Sequence, residues 1–383
     1  MHRLRIASLA LAPVLIAATI VLASPSTAPA AVCSAKGTQP PQVGTGDDLI
    51  FGVDGTTACD LWIVGNFDSG GPEQTLIYRL TPNGWKHQES PNRAGSDYLN
   101  GVSAVSSSLA WTVGSSVNGT DPNRTLIERW NGKRWRIQPS PNVGTGLNIL
   151  FAVDGTSPND AWAVGERQGT TGNQVLILRW NGTTWKSLPP PVRSLTSFGA
   201  ELTAVNAISA TNAWAVGELD NQTLILHWNG KTWHRQPSPN PGSGENQLFG
   251  VAAVSAKDAW AVGADSDGSH YRSLVMHWNG KRWRLQPSPS PSTAPNSDEL
   301  DGVAATSSGA WAVGNTFVDG TDSQTMILRW TGTKWVRQPS RNLDTVAPMS
   351  NTLAAVTAFG GSTVWAVGTF SGSPIRPAAL RCC

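Results

Sequence analysis

Apolar and polar residues along the chain fall into short runs, and the same arrangement of runs returns seven times. It is most legible over residues 248–290, which read LFGVAAVSAKDAWAVG, a polar loop, then SLVMHWNGKRWRLQPSPS. Each copy centres on a Trp-x-Val-Gly segment, with Trp62, Trp111, Trp162, Trp214, Trp260, Trp311 and Trp365 at a spacing of about fifty residues. The runs have the two-residue period of strands and are bounded by Gly, Pro, Asn and Ser. Seven such copies predict an all-β fold: a seven-bladed β-propeller with four-stranded antiparallel blades.

Within a copy the four strands are read as A to D. Strand A covers residues 50–56, 99–105, 150–156, 202–208, 248–254, 300–306 and 353–359. Its third residue is always small: Gly52, Gly101, Ala152, Ala204, Gly250, Gly302 or Ala355. Strands converging on an axis leave little room there for a side chain. In strand B, alternation puts Trp162 and Val164 on one face and Ala161 and Ala163 on the other, so the bulky face of one blade can lie on the flat face of the next. Gly165 and its equivalents are read as ending the strand. Strand C is almost continuously apolar (175–180, 326–330) and runs into Asn-Gly turns such as Asn181-Gly182 and Asn279-Gly280. Strand D starts at Trp135, Trp185, Trp233, Trp283 or Trp335 and ends in a Gln-Pro segment suited to an outer edge.

The seventh copy stops after strand C, at residues 377–382, whereas TQPPQVGTGDDLIFGV near the start is in register with QPSPNVGTGLNILFAV further on. Residues 32–42 are therefore expected to supply the missing strand D and close the ring. Ahead of them, Arg3 and Arg5, an apolar run over residues 6–23 and Ala28-Pro29-Ala30 have the pattern of an export signal. The expected division is a signal peptide over 1–30 and one propeller domain over 31–383. Export into oxidising surroundings makes disulfides the expected state of Cys33, Cys59, Cys382 and Cys383.

Charge narrows the partners. Without Arg3 and Arg5, the 26 remaining Lys and Arg balance 26 Asp and Glu. Formal neutrality argues against a groove for a polyanion such as nucleic acid. No other apolar run has the length of a membrane span. The chain is expected to be a secreted monomer.

Trp130-Asn131-Gly132-Lys133-Arg134-Trp135 and its copies resemble the hairpin of the repeat-propeller families that include kelch and Asp-box (sialidase-like) proteins. The turn is one residue shorter than an Asp-box and carries Asn for Asp, the first copy is reduced to Pro82-Asn83-Gly84-Trp85, and the Gly-Gly doublet of kelch blades is missing. The resemblance implies architecture, not chemistry.

Candidate chemistry is sparse. Copper-radical chemistry needs placed tyrosines, and only Tyr78, Tyr98 and Tyr271 exist. A sialidase needs a convergent arginine triad, which the spacing of Arg93, Arg167, Arg193 and Arg272 does not define. His227 and His277 stand where other copies have Arg129, Arg179 and Arg329, which marks a partly exposed strand C position, not a metal ligand. No metal site or cofactor is expected. Asp265-Ser266-Asp267-Gly268 begins like a calcium loop, but no later Glu completes it.

What varies most between copies is the B to C loop, read as residues 66–74, 115–124, 166–174, 218–222, 264–272, 315–324 and 369–376. The candidate ligand-binding residues are Asn66, Glu166, Arg167, Glu218, Asp265, Tyr271 and Asn315. Glu166 and Glu218, in consecutive blades, are a candidate carboxylate pair at the channel mouth. The expected function is non-catalytic recognition of a glycan or a secreted or cell-surface protein. The alternative is a glycoside hydrolase or polysaccharide lyase using Glu166, Glu218, Arg167 or Tyr271.

The reading of the chain ends is checked by a non-reducing peptide map, which should join Cys33 and Cys59 each to one of Cys382 and Cys383. A crosslink spanning almost the whole chain stabilises by several kcal/mol in the chain-entropy model. Free thiols at Cys382 and Cys383 would contradict closure at this seam.

Overall fold

The computed structural model describes residues 39–170, 172–192, 199–292, 297–318, 322–344, 350–361 and 363–382. The expected signal segment and Cys33 lie outside them. The described chain is all β. Six sheets have four antiparallel strands in the order A-B-C-D, and the seventh has three among the described residues. Each strand A touches strand A of the next blade, and the seventh touches the first, which makes the structure a seven-bladed β-propeller.

Strand A carries a β-bulge in every blade. Between Ile50 and Gly52 the register with strand B slips by one, and the same happens at Leu99/Gly101 and in the five other blades. The unpaired residue is Phe51, Asn100, Phe151, Thr203, Phe249, Asp301 or Ala354, and the bulge turns it out of the ladder. Phe51, Asn100, Phe151 and Thr203, from four different blades, line one cavity at the axis. The next residue is the small one. A Cβ on Gly101 would lie 2.9 Å from the Phe151 carbonyl oxygen of the next blade, which is why strand A keeps Gly or Ala there.

The bulge also explains the Gly of Trp-x-Val-Gly. Strand B does not end at Gly165, as its position suggested, but continues through Asp160–Gln168. A Cβ on Gly165 would sit 2.0 Å from the Ile149 carbonyl oxygen, so glycine is the accommodation of strand B to the bulge beside it. Asn66, Glu166, Glu218 and Asn315 consequently lie on strands rather than in loops. In blades 2 to 6 the C to D turns are longer than two-residue hairpins, whereas blade 1 pairs Thr81 with Gly84 across Pro82-Asn83 alone. Trp180 pairs with Trp185 across four turn residues, with Gly182 at φ +94° and Asn181 Oδ1 accepting from the Thr184 backbone N–H at 2.9 Å.

The eighteen tryptophans all stand at three recurring blade positions. Trp111 packs on the flat face of the next blade, against Ala161 and Ala163, as the alternation predicts. Beyond that, the next blade encloses it with two indoles of its own. Trp180, at the end of strand C, lies 5.0 Å away, and Trp185, at the start of strand D, meets it edge-on at 5.2 Å and 84°. The same triad joins blades 1 and 2 (Trp62, Trp130, Trp135), 3 and 4 (Trp162, Trp228, Trp233), 4 and 5 (Trp214, Trp278, Trp283) and 5 and 6 (Trp260, Trp330, Trp335).

Nearer the axis a second device joins the blades. Asp54 accepts from the Ala104 N–H at 2.8 Å, Ser103 from Gly155 at 3.1 Å, Asp154 from Ala207 at 2.7 Å, and Asn206 from Ala253 at 2.8 Å. Each side chain thus bonds the backbone of the following blade. The corresponding residues of blades 5 and 6 are Ala252 and Ala304, which have no group to offer. Burial pushes Asp54 up to about 7 and raises Asp154.

The ring closes between blades 7 and 1. Trp365, Val367 and Ala379 share a core with Ile50, Leu61 and Trp85, and the Trp365 indole donates to the Ala58 carbonyl at 3.2 Å. Of the expected N-terminal strand, only residues 39–42 are described, and they are not in a ladder. Instead the Gln39 side-chain amide accepts from the Ala379 N–H at 2.7 Å and donates to its carbonyl at 3.1 Å, beside strand C of blade 7 (Arg376–Cys382). Pro40 and Pro41 have no N–H with which to extend a ladder. Cys59, in the A to B turn of blade 1, is disulfide-bonded; the side chains of Cys33, Cys382 and Cys383 lie outside those described.

One core position breaks the repeat. Where other blades place Leu178, Leu226, Met276 or Leu328 in strand C, blade 2 places Glu128, fully buried with neither carboxyl oxygen hydrogen-bonded. Asp97 Oδ1 is likewise buried without a partner. Burial, then the nearby Asp97, push Glu128 up to about 8 against a smaller downward pull from Arg93. Because its folded pKa lies above the unfolded one, Glu128 favours the fold at low pH, and this contribution is lost as pH rises through about 8. Thermal unfolding should therefore show a fall in Tm from pH 6 to 9 that is smaller in Glu128→Gln. An equal fall in both proteins would show that Glu128 is charged or solvated in the fold.

Candidate functional site

The site is built where strand A enters the sheet and strand B leaves it. In each blade the residue after the strand B glycine faces a strand A residue directly: Ile149 opposite Glu166, and Glu201 opposite Glu218. Blades 3 and 4 thereby bring Glu166, Glu201 and Glu218 together, and Glu245, just ahead of strand A of blade 5 (Asn246–Ser255), adds a fourth carboxyl. They line a depression of about 250 Å³ with Asn173, Gly199, Ala200, Asn221 and Gln247. Glu201 also borders the axial cavity of about 340 Å³ beside Phe51 and Phe151, so the acidic depression adjoins the channel.

The four acids are held differently. Glu166 accepts from the Asn173 side-chain amide. Glu218 accepts from the Asn221 backbone N–H at 2.9 Å and from the Gln247 side chain. Burial raises both, and these donors pull them back down. Glu201 is pushed up to about 7, first by burial and then by the charges of Glu166 and Glu218. Glu245 accepts from the Tyr271 hydroxyl, a bond that, with burial, pushes the phenol up to about 12. Four carboxyl groups around one depression, one of them pushed up to about 7, suit a cation or a cluster of N–H donors.

Of the residues singled out in the sequence, the structure brings Glu166 and Glu218 into this depression and Tyr271 to its edge through Glu245. Arg167 bonds Gln174 across its own blade at 2.5 Å. Asp265 is buried in an ion pair with Arg272 at 2.5 Å. Asn66 donates to Glu73 at 2.7 Å, and Asn315 to Glu299 at 3.0 Å. The Asp267 carboxylate is held well below its usual range by the Ser269 hydroxyl and N–H, the bonding of a closed turn. Among the described residues no group of three His, Cys, Asp or Glu side chains is arranged to hold a metal. Glu201 and Glu245 escaped the sequence reading, which compared B to C loops only. The strand A entrance varies as much, through Leu49, Tyr98, Ile149, Glu201, Gln247, Glu299 and Thr352, and that variation was the available signal.

No family model matches the chain, and no curated protein matches it in sequence. Solved structures share its fold. "YCF48 bound to D1 peptide" superposes with a TM-score of 0.51 at 14% identity over 90% of this chain and 95% of that one. "Structure of U3-55K" gives 0.52 at 9% identity over 86% and 92%, and "Crystal structure of RRP9 WD40 repeats" gives 0.52 at 11% over 86% and 91%. What these likenesses share with the chain is the fold, a seven-bladed β-propeller. None of the three is described as a kelch or sialidase propeller, and the Asp-box-like turn marks the architecture alone.

The electrostatics are checked by carboxyl 13C NMR. Glu201 should titrate near 7, and the Glu166→Gln, Glu218→Gln double variant should lower its pKa while leaving it above an ordinary glutamate, because burial is the larger cause. A wild-type Glu201 titrating in the ordinary range would mean the depression is open to water.

Proposed function

We propose that the chain is a non-catalytic interaction module that binds a segment of a protein partner on the channel-mouth face over blades 3 to 5, with a basic side chain of the partner among Glu166, Glu201, Glu218 and Glu245. The observation that carries this is the gathering of four carboxyls beside an axial cavity lined by Phe51 and Phe151. Acidic and aromatic surfaces in contact suit a peptide with alternating basic and apolar residues better than a neutral sugar. The neighbour described as YCF48 bound to D1 peptide supports a peptide ligand for this shape of molecule. The proposal includes export, resting on residues 1–30, with the partner a secreted or cell-surface protein.

One observation favours a second reading. Glu201, pushed up to about 7 beside two other carboxyls, is the kind of arrangement a glycoside hydrolase uses. The experiment that separates them offers the full chain an array of basic-apolar peptides and a panel of polysaccharides. Saturable peptide binding that weakens by about tenfold or more in Glu201→Gln, Glu218→Gln is expected, the loss of one desolvated charge pair being on the order of 2 kcal/mol. Binding only of glycans, or polysaccharide cleavage that stops in Glu201→Gln, would replace the peptide reading.

A further inference from the structure

The repeat contains its own template for a ligand on the opposite face, where A to B and C to D turns meet. At three junctions an arginine of strand C reaches across to the next blade. Arg79 bonds Asp60 at 2.8 Å, lies over the Trp62 ring at 4.8 Å and the neighbouring Trp130 at 5.7 Å, and donates to the Ser107 carbonyl of blade 2 at 3.2 Å. Arg179 repeats this with Asp160, Trp162, Trp228 and the Ala210 carbonyl. Arg129 lies over Trp111 and Trp180. The full slot has four walls: a carboxylate, the blade's own indole, the next blade's indole and a carbonyl of its A to B turn.

Between blades 5 and 6 the walls recur as Asp258, Trp260, Trp330 and Ser307, but the arginine is replaced by His277. The imidazole stacks on Trp260 at 4.2 Å and bonds Asp258 at 2.7 Å, and it is too short to span to the next blade as the arginines do. What it leaves is an open depression of about 410 Å³. Arg329, also on its lining, has its guanidinium over Trp311, the indole that faces blade 7, at 5.9 Å. The other histidine junction is less complete, since His227 has Asn212 in place of the aspartate.

We propose that the depression between blades 5 and 6 is a guanidinium site that receives an arginine side chain from a partner protein. The planar cation would lie on Trp330, with Asp258 and the Ser307 carbonyl accepting its N–H groups, as their counterparts do for Arg79. The space exceeds a guanidinium and leaves room for the alkyl stem and backbone entering from solvent, which favours a side chain over the free ion. This site stands apart from the acidic depression, and neither depends on the other.

The test is a titration of the full chain, labelled with 15N-tryptophan, by N-acetylarginine methylamide, with the lysine counterpart and guanidinium chloride as comparisons. The Trp330 indole signal is assigned with Trp330→Phe. Saturable shifts at Trp330 and Trp260 are expected, weaker with the lysine compound and with free guanidinium. They should disappear in His277→Arg, where the chain supplies its own guanidinium, and weaken in Asp258→Asn, the arrangement blade 4 already tolerates. The proposal is overturned if the wild type shows no saturable shift at Trp330, if guanidinium chloride binds as well as the arginine compound, or if His277→Arg or Asp258→Asn responds like the wild type.

Discussion

The structure depends on how one flat, bulky side chain is covered at each junction between sheets. A strand B tryptophan can be buried only if the next blade presents a smooth surface to its face and large apolar groups to its edges. The Ala-x-Ala spacing supplies the first and the strand C and D tryptophans the second. Edge-to-face aromatic pairs contribute about 0.5–1.5 kcal/mol beyond their buried area, and four junctions between blades 1 and 5, together with that between 5 and 6, have two partners for each central indole. The sheets must also approach closely at the axis, which leaves room for a methyl group at most at Gly52, Gly101 and their equivalents. Bulge, small residue and strand B glycine follow from that one requirement.

Much of this was legible in the chain. The fifty-residue period, the four strands, the small residue of strand A and the two unlike faces of strand B each follow from a local pattern with one physical meaning. The rest depended on register. Gly165 looks like a terminator because glycine usually is one, and only the pairing with Leu150 shows that it yields to a bulge. Trp180 and Trp185 looked like the ends of a hairpin, and their role as walls for Trp111 belongs to the neighbouring sheet. Glu201 sits in a run that reads as ordinary strand, and its cross-strand partner Glu218 makes it part of a site. Glu128 is an isolated departure from an apolar position, visible in alignment of the copies but without meaning until its burial is known.

The repeat makes departures informative because the other copies serve as controls. Six blades with Tyr, Leu or Met opposite one blade with Glu128 mark a position under unusual constraint. Three junctions bridged by arginine opposite one occupied by His277 show what shape and charge the vacant space retains. The two faces of the ring therefore depart from the repeat in different ways: one by gathering acids where strand A enters, the other by replacing arginine with histidine at two junctions.

The backbone bonds made by Asp54, Ser103, Asp154 and Asn206 have no counterpart at Ala252 and Ala304. The ring is thus stitched unevenly, stiff along the arc that carries the acidic depression and held between blades 5 and 6, and again between 6 and 7, by packing without that stitch. The depression lined by Asp258, Trp260 and Trp330 lies on one of these joints. An occupant there would bridge blades 5 and 6 at the rim of a junction that has no side chain to bond across nearer the axis.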